Sequence, residues 1–307
     1  IVFGDWSSDV CSSDLRRLLP PDEFERVMSI EINDLGFGFD QFGMEKESAI
    51  IAYSLARYVH KYWFRVESEG HEHVPIKGPA ILASNHSGVL PIDAVMVCVD
   101  VAIKLTKPRV VRAVVDNFAG FLPWVNVFFY RVGQVVGARR NFIDLLHSGE
   151  ICAVFPEGTR GIGKPFSQRY NLVKFNVGFI ELSLTTKTPI VPVAVVGAEE
   201  QAPMLGNLKP LARLLGFPYF PITPLFPLLG PLGFIPLPTQ YHIRYGKPIE
   251  FYREYGPKTV NDPEAVRMLA DKVQLVIQDM VNHQLESRSS VFGFGEDERD
   301  DRQSASN

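Results

Sequence analysis

The stretch AILASNHSGVLPID, residues 80 to 93, joins an apolar run to a polar turn and the start of a helix. Residues 80 to 84 have the length and composition of a buried strand, and Pro91 suits the first turn of a following helix. The turn carries His86, and Asp93 follows near the start of the helix. Open α/β sheets place their functional groups at the carboxyl ends of strands, so this turn is the first candidate for a site.

A second stretch, CAVFPEGTR at residues 152 to 160, repeats this arrangement about seventy residues later. Its apolar run leads into a polar turn that contains Glu157, Gly158, Thr159 and Arg160. Both turns are therefore expected at the carboxyl ends of strands in one sheet. The other predicted strands are residues 64–67, 110–115, 132–136, 190–196 and 241–245. Helical patterns separate most of them, and such alternation predicts an α/β layered fold.

Composition and periodicity divide the chain into a folded domain and its flanks. Residues 1–15 have neither helical nor strand period and are expected to be a non-native leader. Residues 16–63 are predicted to be an N-terminal helical segment, and residues 64–286 the main domain. An apolar, proline-rich insertion occupies residues 203–239 of that domain. The acidic, serine-rich residues 287–307 are predicted to be a disordered tail.

The insertion includes most of an uncharged run. Residues 214 to 243 contain no Asp, Glu, Lys or Arg but carry seven prolines. Prolines this close exclude a membrane-spanning helix, because each removes a backbone donor and clashes with the preceding turn. Three interpretations stay open: the segment packs on the core, lines a pocket for an alkyl chain, or dips into a membrane surface.

The overall composition excludes several classes of protein. With 307 residues, 46% of them hydrophobic, the chain can bury a large core and is not a disordered protein. A formal charge of -4 and the lack of a recognisable nucleic-acid-binding motif argue against DNA or RNA as a partner. The three cysteines lack metal-ligand spacing, so no metal site and a reducing compartment are expected. The triplet His71-Glu72-His73 is interpreted as a solvated loop.

His86 and Asp93 form the candidate catalytic pair. A carboxylate that accepts a hydrogen bond from one ring nitrogen fixes the tautomer of the imidazole and leaves the other nitrogen free as a base. This arrangement suits deprotonation of a hydroxyl. A purely structural histidine is the alternative. The sequence has no G-x-S-x-G nucleophile motif, which favours direct attack by a substrate hydroxyl.

The FPEGTR stretch offers groups that a phosphate would bind. Gly158 permits close backbone approach, Thr159 and Arg160 offer donors, and Arg139 or Lys164 could add positive charge. Glu157 would orient neighbouring groups rather than attract an anion. The alternative is an ordinary turn that carries a surface arginine.

Together the motifs resemble those of the glycerolipid acyltransferase family, in which a motif of Asn-His and a later Asp precedes FPEGTR by some seventy residues. The matching residues are Asn85, His86, Asp93 and residues 155–160, with weaker matches at residues 137–141 and 189–193. The resemblance covers about residues 64 to 250. It implies a layered α/β/α fold with a central mixed, mostly parallel sheet.

The resemblance also implies a reaction and a set of roles. A fatty acyl group would pass from acyl-CoA or acyl-ACP, as co-substrate, to a glycerolipid hydroxyl, with no cofactor and no covalent acyl-enzyme. His86 would be the general base and Asp93 its orienting partner. The implied substrate-binding residues are Glu157, Gly158, Thr159, Arg160 and Arg139. A thioesterase or lipid esterase, and a non-catalytic lipid-binding module, are the alternatives.

The spacing of the first motif departs from the common family pattern. Six residues separate His86 from Asp93 instead of four, and Pro91 occupies the usual carboxylate position. This variant is similar to the branch of monoacylglycerol and diacylglycerol acyltransferases, so the acceptor need not carry a phosphate. Peripheral or monotopic association with the cytoplasmic face of a membrane is expected, because the product would be insoluble in water.

Overall fold

The computed structural model describes residues 19–115, 125–216 and 219–293. The expected leader, residues 1–15, and residues 294–307 of the predicted tail lie outside this range. The strands are β1 (Glu67–Glu69), β2 (Ala80–Ser84), β3 (Val111–Val115), β4 (Val135–Val136), β5 (Ile151–Val154), β6 (Ile190–Val196), β7 (Gly206–Asn207), β8 (Pro221–Ile222) and β9 (His242–Tyr245). The α-helices are α1 (Pro21–Met28), α2 (Lys46–Tyr58), α3 (Ile92–Lys104), α4 (Val125–Arg131), α5 (Arg139–His147), α6 (Thr159–Ile162), α7 (Gly178–Thr186), α8 (Lys209–Leu215) and α9 (Pro263–Ser287).

A seven-stranded sheet in the order β1-β9-β6-β2-β5-β3-β4 forms the centre of the fold. β2 lies in its middle and pairs in parallel with β5 on one side and with β6 on the other. β9 is antiparallel to β6, and β1 is parallel to β9, so this edge pair runs opposite to the other strands. The predicted mixed, mostly parallel sheet is confirmed.

Helices cover both faces of the sheet. Along β2, Ala80 and Leu82 belong to one core cluster, which includes side chains of α1, α2 and α3. Ile81 and Ala83 belong to a second cluster with α5, α7 and α9. Side chains alternate between the faces of a strand, so an uninterrupted apolar run is what a doubly covered strand requires. The predicted layered α/β/α architecture is confirmed.

The two motif turns leave the sheet side by side. β2 and β5 are parallel neighbours, and Ala83 pairs with Val154 at their carboxyl ends. The turn that carries His86 and the turn that carries Glu157 therefore emerge from the same edge, as expected from the two apolar runs.

The N-terminal part of the main domain differs from the prediction. β1 spans Glu67–Glu69, so the strand predicted at residues 64–67 exists but starts later than predicted. α2 continues as a π turn over Val59–Trp63, which carries the helical path past its last regular residue. Phe64 is then fully buried in the core, because the chain turns inward before it extends.

The insertion and the residues that follow α9 both have defined positions on the domain. The insertion contains the hairpin of β7 and β8, helix α8 and a 3₁₀ turn at Gly230–Phe234. Residues 288–293, the start of the predicted disordered tail, instead pack on the domain. Arg288 pairs with Glu200 at 2.8 Å, and the Gln240 N–H donates to the Val291 carbonyl at 2.9 Å. Among the described residues, no helix is long and apolar enough to span a membrane.

Candidate active site

His86 and Asp93 are in direct contact. The Nδ1 of His86 lies 2.8 Å from Oδ2 of Asp93, and the Ser87 N–H donates to the same oxygen at 2.8 Å. Oδ1 accepts from the Ala94 N–H, also at 2.8 Å. Asp93 is fully buried in the first turn of α3. A carboxylate has only acceptor oxygens, so in this contact we assign the proton to Nδ1 of the ring.

This tautomer leaves Nε2 of His86 with a lone pair. The ring is 7% exposed and lines a large cavity, so it is shielded from bulk water but not sealed off. Phe155 lies against it with ring centroids 4.4 Å apart. The imidazole is therefore held on two sides, by a carboxylate and by an aromatic ring, and its free nitrogen is the group available for chemistry.

Asn85 fixes where the turn starts. Its side-chain amide donates to the Val195 carbonyl at 2.9 Å, and its Oδ1 accepts from the Val195 N–H at 2.8 Å. The side chain thus replaces a strand partner on β6 just past the end of β2. A buried Asn with both groups satisfied sets the path of the backbone at the residue before His86.

Glu157 connects the two motifs. Its Oε1 accepts from the His86 N–H at 2.9 Å and its Oε2 from the Val173 N–H at 2.8 Å. Burial raises the pKa of Glu157, while the charge of Lys164 and the two N–H donors act in the opposite direction. The structure therefore places Glu157 beneath the His86 turn, where its carboxylate holds two backbone segments together.

Gly161 is a site residue that sequence reasoning missed, and Lys164, considered from the sequence as a charge for a phosphate, instead pairs with a buried carboxylate. A Cβ at position 161 would lie 2.7 Å from the Cβ of Glu157 and 2.7 Å from the His86 carbonyl, so only glycine fits between the motifs. Lys164 is buried and pairs with Glu199 at 2.7 Å, which brings a positive charge near Glu157. Glycine and lysine both follow FPEGTR closely, but their spacing alone does not reveal these contacts.

The long spacer between His86 and Asp93 is held by residues from the insertion and from the segment before it. Gly88 adopts a φ of +84°, and a Cβ there would lie 2.3 Å from Nε2 of Gln201. The Tyr219 hydroxyl donates to the Val89 carbonyl at 2.6 Å. α3 then begins at Ile92, which brings Asp93 back under the ring of His86.

The remaining predicted residues lie at the rim of the site. Gly158 has φ +59° and ψ -152°, a conformation open essentially to glycine alone. Thr159 lines the cavity. Arg160 is exposed and donates to the Lys174 carbonyl at 3.1 Å. Arg139 is also exposed but pairs with Glu181 on α7, so this carboxylate already balances part of its positive charge.

The cavity beside His86 has a volume of about 1240 Å³. It exceeds the roughly 300–1,000 Å³ of most small-ligand sites. Helices α2, α3 and α4, strand β3, the spacer, α6 and the insertion all contribute to its wall, which is mostly apolar. In the described part of the chain, no group of three or more His, Cys, Asp or Glu side chains is arranged to hold a metal ion.

Comparison with known proteins identifies the family. The family model described as Acyltransferase matches residues 65–196, which include both motifs. An uncharacterized protein of Mycobacterium tuberculosis is 41% identical over 261 residues, which cover 84% of this chain and 72% of that protein. An uncharacterized protein of Mycobacterium leprae is 42% identical over 259 residues, 83% of this chain and 70% of its own.

Two characterised proteins are more distant. The human "DGAT1/2-independent enzyme synthesizing storage lipids" is 27% identical over 230 residues, 73% of this chain and 66% of that enzyme. The crystal structure of the 1-acyl-sn-glycerophosphate acyltransferase PlsC from Thermotoga maritima is 19% identical, with a TM-score of 0.47 and coverage of 78% of this chain and 83% of that one. From the family model and the mycobacterial relatives, the chain belongs to the acyltransferase family.

Proposed function

We propose that the protein transfers a fatty acyl group from an acyl thioester, acyl-CoA or acyl-ACP, to a hydroxyl of a glycerolipid, with His86 as general base. The observation that carries the proposal is the pair of His86 and Asp93 at the wall of a large apolar cavity. The reaction needs both a base and a site for hydrocarbon, and here they adjoin. The name of the human relative, which concerns storage lipids, supports a lipid acceptor.

In the proposed mechanism, Nε2 of His86 takes the proton of the acceptor hydroxyl as its oxygen attacks the thioester carbonyl. A carbon–oxygen bond forms, the carbon–sulfur bond breaks, and the proton passes from His86 to the leaving thiolate. Asp93 keeps Nδ1 protonated and stabilises the positive charge that the ring carries between the two proton transfers. Glu157 supports this step indirectly, by holding the backbone N–H of His86.

Direct attack is favoured over a covalent intermediate. Cys98 lines the cavity, but burial and the charge of Asp93 raise the pKa of its thiol to about 12. A thiol with so high a pKa is a poor nucleophile near neutral pH. The substrate hydroxyl is therefore the attacking group in the proposal.

Phosphates of the donor would bind at the rim of the site. The side chain of Arg160 is exposed and, among the described residues, donates to the Lys174 carbonyl through one terminal nitrogen, so its other donors can turn toward an anion. Thr159 lies on the cavity wall next to it, and Gly158 allows close approach of the backbone. Arg139 would have to leave Glu181 to take part, which makes it the weaker contributor.

We also propose that the protein works at a membrane surface, as a peripheral protein. Large apolar side chains are exposed on the insertion, where Leu228 is 83% and Leu232 64% exposed. On the neighbouring π turn, the Trp63 indole is 40% exposed and donates to the Pro236 carbonyl at 3.1 Å. Apolar surface with Trp at its edge is typical of proteins that lie in the membrane interface. The free, buried Cys98 and Cys152 fit a reducing compartment and hence the cytoplasmic face.

Acceptor-dependent release of free thiol tests the reaction. Purified protein with long-chain acyl-CoA is expected to release thiol only when a glycerolipid acceptor is added, and mass spectrometry should then detect the acylated acceptor. Equal release with and without acceptor would instead show a thioesterase. Lipid binding without any turnover would show a binding module.

Sedimentation with liposomes tests the membrane proposal. The double variant Leu228→Asp and Leu232→Asp is expected to pellet with vesicles much less than the wild type, because it places charge in the apolar surface. Leu275→Asp, at a position 68% exposed on α9, is the matched control and should pellet like the wild type. Equal pelleting of all three proteins would contradict the proposal.

A further inference from the structure

A third turn leaves the sheet beside the two motif turns. Residues 197–201, GAEEQ, follow the end of β6, which is the second parallel neighbour of β2. The side chains of Glu199, Glu200 and Gln201 in this turn are buried although all three are polar. Buried polar side chains need hydrogen-bond partners, and each of these three has one. We call residues 197–201 the third turn, and these contacts fix it beside the catalytic site.

We propose that Gln201, held by Tyr241, is a positioning residue that sets the spacer between His86 and Asp93 for catalysis. This role rests on the proposed function, and it explains how a spacer of six residues still brings the histidine and the aspartate into contact. Among the described residues that line the cavity, neither Gln201 nor Tyr241 is found. Both residues therefore act through the spacer and not on a substrate.

The carboxamide of Gln201 joins a buried tyrosine to the spacer. The Tyr241 hydroxyl donates to Oε1 of Gln201 at 2.7 Å, and Nε2 of Gln201 makes a longer hydrogen bond to the Leu90 carbonyl at 3.4 Å. Both side chains are buried, so water does not compete for these groups. Because the amide oxygen accepts from the tyrosine, the amide nitrogen is the group left to bind the spacer.

The Leu90 carbonyl lies where the spacer enters helix α3. It also accepts from the N–H of Ile92, the first residue of α3, at 2.8 Å. Asp93 comes next and binds Nδ1 of His86 at 2.8 Å. A displaced Leu90 carbonyl would therefore move the start of the helix, and with it the carboxylate that orients the histidine ring.

Gly88 shows how closely the third turn packs on the spacer. A Cβ at this position would lie 2.3 Å from Nε2 of Gln201 and 2.9 Å from the Ala198 carbonyl. Two groups of the third turn thus occupy the space that a larger residue would need. The third turn contacts the spacer at Gly88 and again at Leu90, on either side of the Val89 carbonyl that Tyr219 binds.

Gln201 and Tyr241 are themselves held in place. The backbone carbonyl of Gln201 accepts from the Leu237 N–H, at the end of the insertion, at 2.7 Å. The ring of Tyr241 packs on Phe64 with centroids 4.5 Å apart. Burial, and then the charge of Asp93, keep the pKa of Tyr241 well above its ordinary value, so its hydroxyl stays protonated and remains a donor. The Gln201 amide is therefore held in one orientation, as a positioning group must be.

The test removes one hydroxyl at a time from two fully buried tyrosines, one just before β9 and one at its end. Tyr241→Phe removes the donor to Gln201, and the matched control Tyr245→Phe removes a donor that lies 2.9 Å from Asp100. We expect Tyr241→Phe to lower kcat about tenfold and Tyr245→Phe to leave it within about twofold, with every KM within about twofold. Acceptor-dependent thiol release is measured with palmitoyl-CoA and either monooleoylglycerol or oleoyl lysophosphatidic acid, whichever the wild type turns over faster. Circular dichroism checks that each variant is folded.

Gln201→Met gives a readout that a merely structural role would not produce. Methionine has nearly the length of glutamine but makes neither hydrogen bond, so kcat should fall about 30-fold. In an Asp93→Asn background, the same substitution should change kcat by less than about twofold, because residues that act through one contact are not additive. A general defect in folding would instead lower kcat by the same factor in both backgrounds.

Three results separate the possible failures. If the wild type shows no acceptor-dependent thiol release with either acceptor, the proposed function fails and the positioning role fails with it. If the wild type is active but Tyr241→Phe and Tyr245→Phe have equal kcat, or if KM changes instead of kcat, Tyr241 does not position the catalytic turn. If Gln201→Met costs the same factor with Asp93 and with Asn at this position, Gln201 does not act through the His86–Asp93 contact.

Discussion

Helix α3 carries two buried aspartates that bind histidines: the histidine partner of Asp93 lines the large cavity, and the described lining includes neither histidine partner of Asp100. Asp93 and Asp100 are seven residues apart, about two helical turns, and so lie on one face of the helix. Asp93 binds Nδ1 of His86 and two backbone N–H groups, and the residue His86 lines the cavity. With the proton on Nδ1, Nε2 keeps a lone pair on a ring beside the cavity.

Asp100 is surrounded by four side-chain donors. Its Oδ1 accepts from Nε2 of His60 at 3.0 Å and from the Ser68 hydroxyl at 2.7 Å. Its Oδ2 accepts from Nε2 of His71 at 3.2 Å and from the Tyr245 hydroxyl at 2.9 Å. Among the described residues that line the cavity, none belongs to this cluster. Both histidine rings bind the carboxylate through Nε2. Ser68 lies on β1 and Tyr245 on β9, so the cluster joins α3 to the edge of the sheet, and we assign it a structural role.

The difference bears on which His–Asp pair is the candidate for catalysis. Both pairs have hydrogen bonds of ordinary length and a fully buried carboxylate. What differs is which ring nitrogen binds the carboxylate, Nδ1 in His86 and Nε2 in His60 and His71, and whether the histidine is among the described residues that line the cavity. Substitutions at Asp93 should therefore affect turnover, and substitutions at Asp100 should affect stability.

Asp93→Asn is expected to have the largest effect. The Ser87 N–H and Nδ1 of His86 would then meet an amide, which has a single acceptor oxygen, instead of a carboxylate. The tautomer of the ring would therefore no longer be fixed. The kcat for acyl transfer should fall about 10³-fold, within the range of general-base catalysis. Steady-state thiol release measures it, and circular dichroism should show that the variant remains folded. A loss of less than about tenfold would contradict the assigned role.

Asp100→Asn should mainly lower stability. In the wild type, four side-chain donors bind the charged oxygens of Asp100. The amide nitrogen of Asn is itself a donor and would face some of these donors. Breaking a buried charged network of this kind lowers the free energy of unfolding by about 3 kcal/mol. Urea denaturation measures the loss. At a temperature where the variant is folded, its kcat should stay within about tenfold of the wild type, in contrast to Asp93→Asn. A stable but inactive Asp100→Asn protein would reverse the comparison.

Gly161→Ala should disturb the catalytic site from below, with a smaller effect. The new Cβ would meet the Glu157 Cβ and the His86 carbonyl, both at 2.7 Å, and neither backbone can give way easily. Overpacking of this kind costs about 2 kcal/mol, and we expect activity to fall about tenfold as the His86 turn shifts. Gly178→Ala is the control, because a Cβ there has nothing within 4 Å. Equal activity of the two variants would show that the motifs are not packed as described.

The pH dependence of stability should also test the cluster around Asp100. Burial alone would raise the pKa of Asp100, but hydrogen bonds from His60 and His71 outweigh it and lower that pKa well below its usual range. A carboxyl with a lowered folded-state pKa stabilises the protein above its unfolded value of about 3.9, and this contribution is lost as the pH falls below that value. The difference in unfolding free energy between wild type and Asp100→Asn should therefore shrink by about 1 kcal/mol between about pH 6 and pH 3. A constant difference would contradict the assignment.

The sequence was enough to predict that His86 and Asp93 lie together, but not the cluster around Asp100. His86 and Asp93 stand in one short stretch behind a strand, so local pattern brings them together. The partners of Asp100 come from four separate elements, and only the sheet order, with β1 beside β9, assembles them. The interpretation of residues 71–73 as a solvated loop was wrong for this reason: His71 binds Asp100, and Nδ1 of His73 binds the Tyr245 carbonyl at 2.9 Å.

The same limit applies to the cavity. From the sequence, the uncharged insertion was compatible with core packing, a pocket or a membrane surface. In the structure, some of its side chains line the cavity and other apolar side chains are exposed. Contacts such as the hydrogen bond from Tyr219 to Val89 join positions 130 residues apart, and no local period reveals them. The roles predicted for Arg160 and Arg139 in substrate binding stay predictions, since both side chains now contact protein groups.

The most direct test of the central claim is a paired measurement of acceptor-dependent thiol release by His86→Ala and His60→Ala. Each variant removes a buried histidine from an aspartate of the same helix, so the loss of a His–Asp contact is matched. We predict that His86→Ala loses activity about 10³-fold while folded, and that His60→Ala is less stable but retains kcat within about tenfold. Turnover by His86→Ala at the wild-type rate, or equal loss of kcat in both folded variants, would contradict the assignment of His86 as the base.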